Sequence, residues 1–358
     1  MIAIVNNFHP HTGIGKYAFG LLKQLNERGR GAEMLYLESR DNAIPEASAV
    51  KKIRQGMHYP VANRTLAAYF AFPKGLPPGY DLYHVSSQYL ARVAKFRKPC
   101  IITHMDLAPV VFPGEYPLFL RLFVRRMLKF YDEASLILAI SEAGRKELLE
   151  YMDLPDDRVR AIPLGVDASL YKPMVMEACR RSLGLPLGKK IVLNVGSEEP
   201  RKNIPLLLEA QRSVQSEFGD DALLVRVGAR NPGYDGLKKG VNMMHFSNVA
   251  EEKMPLFYNS ADAFAFPAKY EGGFAYPPLE SMACGTPTLV TGALGLFRGG
   301  ARILPEEASA FSEAITSILS GKCRQLSKSA IETSKKFTLA IEAEKTWKAY
   351  QDVLSASR

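Results

Sequence analysis

Residues 266–287 read FPAKYEGGFAYPPLESMACGTP and carry the strongest structural signal in the chain. An apolar strand ends at Phe266, a loop with paired glycines follows, and two prolines then open a helix, since proline fits a first helical turn but not a helix interior. This order predicts Glu271 in the loop and Glu280 in the first helical turn. A structural role for that second carboxylate, as a helix-dipole partner, would contribute roughly a few tenths of a kcal/mol. Two carboxylates beside a glycine-rich loop and a helix start instead predict a binding site.

Around this stretch, short apolar runs alternate with longer segments of helical period, which is typical of βα units around a parallel sheet. The alternation ends after Pro173 and then restarts. We therefore predict an α/β fold with two doubly wound, Rossmann-like domains, residues 1–173 and 174–336, and a closing helix in 337–358. Ligands bind at the carboxyl ends of the strands in such sheets, so two sheets that face a central cleft would form a two-substrate site.

The predicted elements follow from this alternation. The strands are Ile2–Asn6, Met34–Leu37, Leu82–Val85, Cys100–Thr103, Leu136–Ile140, Arg160–Ile162, Lys190–Val195, Ala222–Val227, Met243–Phe246, Ala263–Phe266 and Thr288–Val290. The helices are Ile14–Arg28, Leu118–Ala134, Glu142–Tyr151, Ile204–Glu217, Glu251–Ser260, Leu279–Cys284, Ala308–Leu319 and Phe337–Ser355.

Composition excludes several classes of protein. The 358 residues are 47% apolar and 23% charged, which excludes a disordered tail or a coiled coil. The four cysteines are isolated, so we expect neither a zinc site nor a disulfide framework, and a reducing compartment fits best. We expect no signal peptide, because the apolar run at the first residues is too short, and no run approaches the roughly 20 apolar residues of a membrane span. A soluble or peripheral protein is expected.

Two further turns have the composition of phosphate-binding loops. Residues 12–16 (TGIGK) lie between a strand and a helix, where backbone amides favour anions. A tight structural turn is the alternative, and a dinucleotide site is another, with Glu38 as the ribose acid, although Ala18 stands where that motif has its third glycine. Residues 195–203 (VGSEEPRKN) place two cations before a helix, which suits a diphosphate or simply a solvated basic turn.

Together these motifs resemble a known family. The chain is similar throughout to the retaining GT-B glycosyltransferases of family 4, the glycosyl transferases group 1. The segments that carry the resemblance are 12–15 (TGIG), 140–142 (ISE), 162–167 (IPLGVD), 195–203, 260–267 (SADAFAFP), 270–272 (YEG) and 279–287 (LESMACGTP), with Trp347 and Tyr350 in the final helix. In this family the final helix crosses back onto the N-terminal domain.

The resemblance implies roles for individual residues. Glu280 would bind the donor ribose, and Glu271 would hold hydroxyls of the donor sugar. Lys202, helped by Arg201, would neutralise the donor diphosphate as its bond to the sugar breaks. His104 would be a further catalytic candidate near the donor sugar. The remaining donor-binding positions would be Gly13, Gly15, Gly196, Ser197, Gly272, Gly273, Phe274 and Leu279.

The sequence departs from the family pattern at three places. Eight residues separate Glu271 from Glu280 where the family usually has seven, so we expect the loop to bulge. Ser197 replaces a common arginine, which leaves Arg201 as its substitute. His104 lies one place early in its motif, and a shift of one residue at a strand end can reverse the direction of a side chain. A histidine satisfied within the core is the alternative at that position.

Positive charge is concentrated in one part of the chain. The formal net charge is +9, yet residues 51–131 alone hold 13 basic and 3 acidic residues, with aromatic residues between them. An anionic membrane and an acidic glycan are two candidate partners. The third interpretation is an ordinary amphipathic helix with a basic outer face, in which Leu118, Leu122 and Phe123 are core contacts. Nucleic acid is not expected, because no binding motif accompanies the charge.

These observations favour a hexosyltransferase. The resemblance implies transfer of a mannose- or glucose-type hexose from a UDP- or GDP-sugar to a glycan or lipid-linked acceptor, with retention of configuration and without a metal or other cofactor. We expect the protein in the cytoplasm or peripherally at the inner face of the cell membrane. A catalytically silent GT-B scaffold that binds nucleotide sugars is the alternative, and an NAD-dependent oxidoreductase is a third hypothesis.

Overall fold

The computed structural model describes residues 1–38, 43–44, 47–54, 69 and 72–357, except the side chains of Arg54 and Arg324. The chain divides into two compact units. The first comprises Met1–Gly165 and Leu339–Arg358, and the second comprises Val166–Thr338.

The first unit contains a seven-stranded parallel sheet in the order β3-β2-β1-β4-β5-β6-β7. Its strands are β1 Ile2–Asn6, β2 Ala32–Glu38, β3 Val50–Arg54, β4 Leu82–Val85, β5 Cys100–His104, β6 Leu136–Ala139 and β7 Val159–Ala161. Its helices are α1 Gly13–Glu27, α2 Phe72–Gly75, α3 Ala108–Val111, α4 Leu118–Leu128 and α5 Glu142–Met152. The 3-10 helices are Gln88–Lys95, Tyr131–Glu133 and Asp156–Arg158.

The second unit contains a six-stranded parallel sheet in the order β10-β9-β8-β11-β12-β13. Its strands are β8 Lys190–Val195, β9 Ala222–Val227, β10 Met243–Phe246, β11 Ala263–Phe266, β12 Thr288–Thr291 and β13 Arg302–Leu304. Its helices are α6 Met176–Leu183, α7 Ile204–Phe218, α8 Asp235–Lys238, α9 Met254–Ser260, α10 Tyr276–Ala283, α11 Ala308–Leu319 and α12 Arg324–Ser334. The 3-10 helices are Pro200–Lys202, Gly219–Asp221, Pro232–Tyr234, Glu251–Lys253 and Gly292–Phe297.

The closing helix α13, Leu339–Ala356, belongs to the first unit. Glu344 pairs with Arg28 and Arg30 at 3.1 and 2.7 Å. The buried hydroxyl of Tyr350 lies 2.5 Å from Nδ1 of His84 on β4. This helix therefore completes the hydrophobic and polar interior of the unit that contains the N-terminus.

The predicted strands are confirmed to within two residues at each end, because both faces of a parallel strand are buried and its apolar run is easily recognised. The prediction missed β3 and β13, which lie at sheet edges and carry polar side chains. It also missed five helices, α2, α3, α6, α8 and α12. The predicted helix Leu118–Ala134 was too long, since α4 ends at Leu128 and a 3-10 turn follows at Tyr131–Glu133.

The unit boundary differs from the predicted one after Pro173. Residues 166–173 belong to the second unit, where the backbone N–H of Val166 donates to the carbonyl of Phe337 at 2.9 Å. Val166 also forms an isolated bridge with Thr338, so the two crossing segments run side by side in that unit. Among the described residues, no helix has the length and apolarity needed to span a membrane.

Candidate functional site

In the second unit, the two motifs richest in charge lie at the topological switch point of the sheet. The strand order reverses between β8 and β11, and ligands of doubly wound sheets bind outside the carboxyl ends of the strands at this point. The 195–203 turn leaves β8, and the 267–275 loop leaves β11. The fold thus brings together two segments that are about 70 residues apart in the chain.

Arg201, Lys202 and Glu271 form an ion cluster at this point. The Lys202 ammonium contacts Oε1 of Glu271, and the Arg201 guanidinium lies 3.2 Å from Oε2. The three side chains are only 15%, 13% and 8% exposed, respectively. Arg201 also pairs with Glu199 at 2.8 Å. Two cations and one carboxylate are therefore already assembled in a largely enclosed position.

Backbone contacts tie the two loops to each other. The N–H of Lys269 donates to the carbonyl of Arg201 at 2.8 Å, and the Arg201 guanidinium donates to the carbonyl of Tyr270 at 3.3 Å. The Lys202 ammonium lies 5.2 Å from the ring centroid of Phe266, the last residue of β11. These contacts fix the cations before any ligand arrives.

The extra residue between the glutamates forms a compact glycine turn. Gly272 and Gly273 have φ values of 58° and 79°, which residues other than glycine rarely adopt. The N–H of Phe274 closes the turn onto the carbonyl of Glu271 at 3.1 Å. Phe274 itself is buried against Tyr276 and Phe297. The insertion therefore leaves Glu271 in contact with both cations.

The sequence predicted Glu280 in the first helical turn, and the structure places it elsewhere. Helix α10 begins at Tyr276, one residue before the two prolines, so both prolines lie in its first turn. Glu280 is the fifth residue of the helix and lies in the second turn. Its side chain is buried, and Oε2 accepts a hydrogen bond from the Tyr258 hydroxyl at 2.6 Å. Burial, together with the nearby Glu280 charge, raises the pKa of Tyr258 well above its usual value. A ribose contact by Glu280 remains a prediction.

Sequence reasoning missed Tyr258 as the partner of Glu280. Tyr258 follows apolar residues in the short helix α9, and a pattern of helical period cannot indicate which way its hydroxyl points. Leu279 is fully buried, so only its backbone could face a ligand.

Gly196 and Gly228 are required by close packing. Gly196 has a φ of 140°, and its N–H donates to the carbonyl of Val227 at 2.8 Å. A Cβ on Gly228, whose φ is 144°, would lie 2.1 Å from the carbonyl oxygen of Gly196. Ser197 follows in this turn and is half-buried. The turns after β8 and β9 therefore pack backbone against backbone.

Gly13 and Gly15 open helix α1 in the first unit, whose own switch point lies between β1 and β4. The N–H of Gly15 donates to the Thr12 hydroxyl at 3.1 Å, which caps the helix. A Cβ on Gly15 would lie 1.9 Å from the carbonyl oxygen of His9. Close backbone packing thus explains Gly15, and phosphate binding by this turn remains a prediction.

His104 is the last residue of β5 and is buried within the first unit. Its Nδ1 lies 2.8 Å from the Tyr131 hydroxyl. Burial lowers the pKa of His104 to about 3, so the imidazole is neutral at physiological pH. No partner among the described residues reaches Nε2, so the core satisfies only one of the two ring nitrogens of His104. A contact with the donor sugar stays a prediction.

Among the described residues of the basic stretch, some cations have partners within the fold and others lie on exposed surface. Tyr59, Arg64 and Phe70 lie outside the described residues. Arg92 stacks on the Tyr69 ring at 4.1 Å, and Arg97 donates to the carbonyl of Leu76.

One exposed face belongs to helix α4. Leu118, Phe119 and Leu122 are 62%, 59% and 55% exposed, so the interpretation of Leu118 and Leu122 as core contacts is wrong. Phe123, the third residue of that interpretation, is partly buried against the core. The exposed residues Arg125, Arg126 and Lys129 follow on the same side of the helix, because residues three, four and seven apart share a face.

Within the described ranges, no three His, Cys, Asp or Glu side chains are grouped as a metal site would require, and the four cysteines are free thiols. Independence from a metal is therefore still a prediction.

Residues 175–337 match the family model described as Glycosyl transferases group 1, and residues 11–170 match Glycosyltransferase Family 4. The O-antigen chain mannosyltransferase B of Escherichia coli is 27% identical over 319 residues, which cover 80% of this chain and 81% of that protein. The serotype-specific mannosyltransferase WbdA of E. coli is 28% identical over 51% of this chain, and the match spans 24% of WbdA.

Two solved structures show the same fold. Sucrose-phosphate synthase from Thermosynechococcus elongatus has a TM-score of 0.81 and 21% identity, with 99% of each chain covered. Anabaena Alr3699/HepE, solved in complex with UDP and glucose, has a TM-score of 0.75 and 17% identity, with 98% of this chain and 99% of that chain covered. The predicted two-domain α/β fold of the GT-B type is therefore confirmed.

Proposed function

The chain belongs to the group 1 glycosyltransferases of the GT-B type, and we propose that it transfers a mannose- or glucose-type hexose from a UDP- or GDP-sugar to a glycan or lipid-linked acceptor. A mannosyltransferase among the relatives and a structural neighbour solved with UDP and glucose support these donor classes. The observation that carries the proposal is the cluster of Arg201, Lys202 and Glu271 at the switch point of the second sheet.

This cluster suits the departure of a nucleoside diphosphate. Negative charge accumulates on the diphosphate as its bond to the sugar breaks, and cations held in advance stabilise that charge without reorganisation. Arg201 can bind two phosphate oxygens at once, while Lys202 supplies a compact point charge. Glu271 holds both cations and offers acceptor oxygens to hydroxyls of the donor sugar.

Two further proposals concern the chemistry of the transfer. The two cations perform the charge neutralisation that a metal performs in other transferases, so we propose a metal-independent reaction. We propose retention of configuration by a front-face route, in which the leaving phosphate accepts the proton of the acceptor hydroxyl.

A panel of UDP- and GDP-sugars, incubated with the protein and read by product mass, tests the proposal. Slow hydrolysis of one donor, or its transfer to an added glycan, is the expected result. Binding of a donor without hydrolysis or transfer to any acceptor would instead identify the silent scaffold. An NAD(H)-induced rise in melting temperature would favour the oxidoreductase, although Glu38, its candidate ribose ligand, pairs with Lys52 at 2.9 Å.

We further propose that helix α4 attaches the protein to an anionic membrane that carries the acceptor, at the inner face of the cell membrane. Three exposed apolar side chains on its first turns, Leu118, Phe119 and Leu122, can enter the headgroup region. Each cation near such a surface adds about 1 kcal/mol of attraction. The exposed apolar side chains lie at the start of α4 and the exposed cations lie toward its end, on the same face. This arrangement favours a lipid surface, since an acidic glycan would need the cations but little apolar contact.

Sedimentation with anionic liposomes tests this attachment. Arg125→Glu combined with Arg126→Glu should reduce the bound fraction. Lys345→Glu combined with Lys348→Glu, the same charge change on an exposed face of α13, serves as the matched control and should leave binding intact. An unaltered bound fraction in the α4 variant would favour a purely structural helix.

A further inference from the structure

Three polar side chains form a row across the sheet of the second unit, one residue before the strands end. The strand register pairs Asn194 of β8 with Arg226 of β9, and Arg226 with His245 of β10. Central strands of parallel sheets are normally apolar throughout. Arg226 is nevertheless 0% exposed, which makes it the largest fully buried side chain of the described residues.

Two members of this row hold the glycine turns that follow the strands. The Arg226 guanidinium donates from Nη2 to the carbonyl of Gly196 at 3.1 Å. His245 Nε2 lies 2.8 Å from the carbonyl of Gly228. Gly196 begins the turn that carries the cations of the candidate site, so the Arg226 contact fixes the peptide plane at the base of that turn.

Glu198, three residues before Arg201, reaches back to the same row. Its carboxylate accepts from Lys238 Nζ at 2.8 Å and from the N–H of Asn231 at 2.7 Å. Arg226 Nη2 and His245 Nδ1 lie 3.5 and 3.7 Å from its other oxygen. Burial raises the pKa of Glu198, but Lys238, Asn231 and Arg226 outweigh this effect and hold the pKa below its ordinary value.

A contribution to stability alone does not explain the buried ion pair of Arg226 and Glu198. No acceptor among the described residues reaches Nε or Nη1 of Arg226. Burial lowers its pKa to about 10, against the opposing effect of Glu198, so the guanidinium remains charged at neutral pH. Buried ion pairs of this kind are often no more stabilising than apolar residues of equal volume. An unsatisfied buried donor therefore calls for another explanation.

We propose that Arg226 and Glu198 are positioning residues that hold the Gly196–Lys202 turn in the conformation that binds the diphosphate of the donor. Arg226 fixes the first peptide of the turn, Glu198 fixes its middle, and Arg201 and Lys202 extend from its end. This inference rests on the proposed function, since it concerns the affinity of that site for a nucleoside diphosphate.

Titration calorimetry of UDP and of GDP, the probes used here, tests the proposal on Arg226→Met. Methionine keeps much of the volume and removes the donor to Gly196. The matched control is Arg180→Met. Arg180 is also a buried arginine of the second unit, but it pairs with Asp262 at 2.8 Å and donates to the carbonyl of Lys189, before β8 begins.

We expect Arg226→Met to weaken diphosphate binding by about 10-fold or more, the size of loss that follows removal of a group that orients metal ligands. Arg180→Met should lower the melting temperature and leave the dissociation constant unchanged. Glu198→Gln, which keeps an acceptor for Lys238, should weaken binding less and provides the test if Arg226→Met does not fold.

Two results overturn the inference alone: wild-type affinity in a folded Arg226→Met or Glu198→Gln variant, or an equal loss in Arg180→Met. If the wild-type protein binds neither diphosphate and consumes no nucleotide sugar, the proposed function itself is wrong.

Discussion

Replacing Lys202 by methionine tests the candidate site most directly. Methionine keeps most of the length of the lysine side chain and removes its charge. An ammonium about 4 Å from a phosphate oxygen contributes about 4 kcal/mol of attraction at an effective dielectric constant of about 20. Arg201, which lies 3.2 Å from Glu271, remains and carries part of that stabilisation. We therefore expect a loss of about 3 kcal/mol of transition-state stabilisation, or a fall of about 100-fold in kcat/KM.

The chain offers a closely matched control in Lys190. Its ammonium lies 5.2 Å from the centroid of the Phe218 ring, the same distance that separates Lys202 from Phe266. It donates to the carbonyl of Leu319 at 2.8 Å, but it is the first residue of β8 and lies at the opposite end of that strand from the turn.

The assay is release of nucleoside diphosphate from the donor that the panel identifies, with melting temperatures measured in parallel. Lys190→Met should lose some stability and keep its kcat/KM. Unchanged kcat/KM in Lys202→Met, or an equal fall in the control, would refute the electrostatic argument.

Three other predictions follow from single contacts. Glu280→Gln should strongly reduce donor binding and turnover, and steady-state kinetics equal to wild type would remove Glu280 from the site. Gly15→Ala should lower the melting temperature of the first unit, since its Cβ would meet a carbonyl at 1.9 Å, whereas Gly114→Ala, with open space around it, should not. Burial raises the pKa of Glu342 to about 8, so the folded state keeps a proton that the unfolded state has lost, and stability should fall as pH rises from about 4.5 to 8. Thermal unfolding of Glu342→Gln should show a flatter pH profile, and a slope equal to that of wild type would contradict the assignment.

The parallel strands were predictable because burial on both faces leaves a continuous apolar run, as in Ile2–Asn6, where every residue is buried. Edge strands such as Val50–Arg54 lack that signal, because one side of an edge strand has no neighbour and polar residues are tolerated there. One of the three interpretations of the basic stretch placed the exposed leucines Leu118 and Leu122 of α4 in the core. A helical period shows that a face exists, but not which neighbour covers it.

The candidate site was predictable in part. The cations of the 195–203 turn and Glu271 were identified from their motifs, and the structure brings them into contact. The position of Glu280 was wrong by one helical turn, because the sequence does not show how many residues precede two prolines at a helix start. The sequence analysis did not identify Arg226, because one arginine in an apolar strand does not indicate which carbonyl its guanidinium donates to.

The sequence by itself determined the alternation of strands and helices, the two-domain class and the residue types of the site, because these depend on local periodicity and on short motifs. Only the tertiary structure decided which of those residues meet. The order β10-β9-β8-β11-β12-β13 places the ends of β8 and β11 side by side, and this adjacency joins Lys202 to Glu271 across 69 residues of chain. The same packing decides that the carboxylate of Glu280 meets Tyr258 and that Arg226 lies beneath the glycine turn, since side-chain direction is set by neighbours distant in sequence.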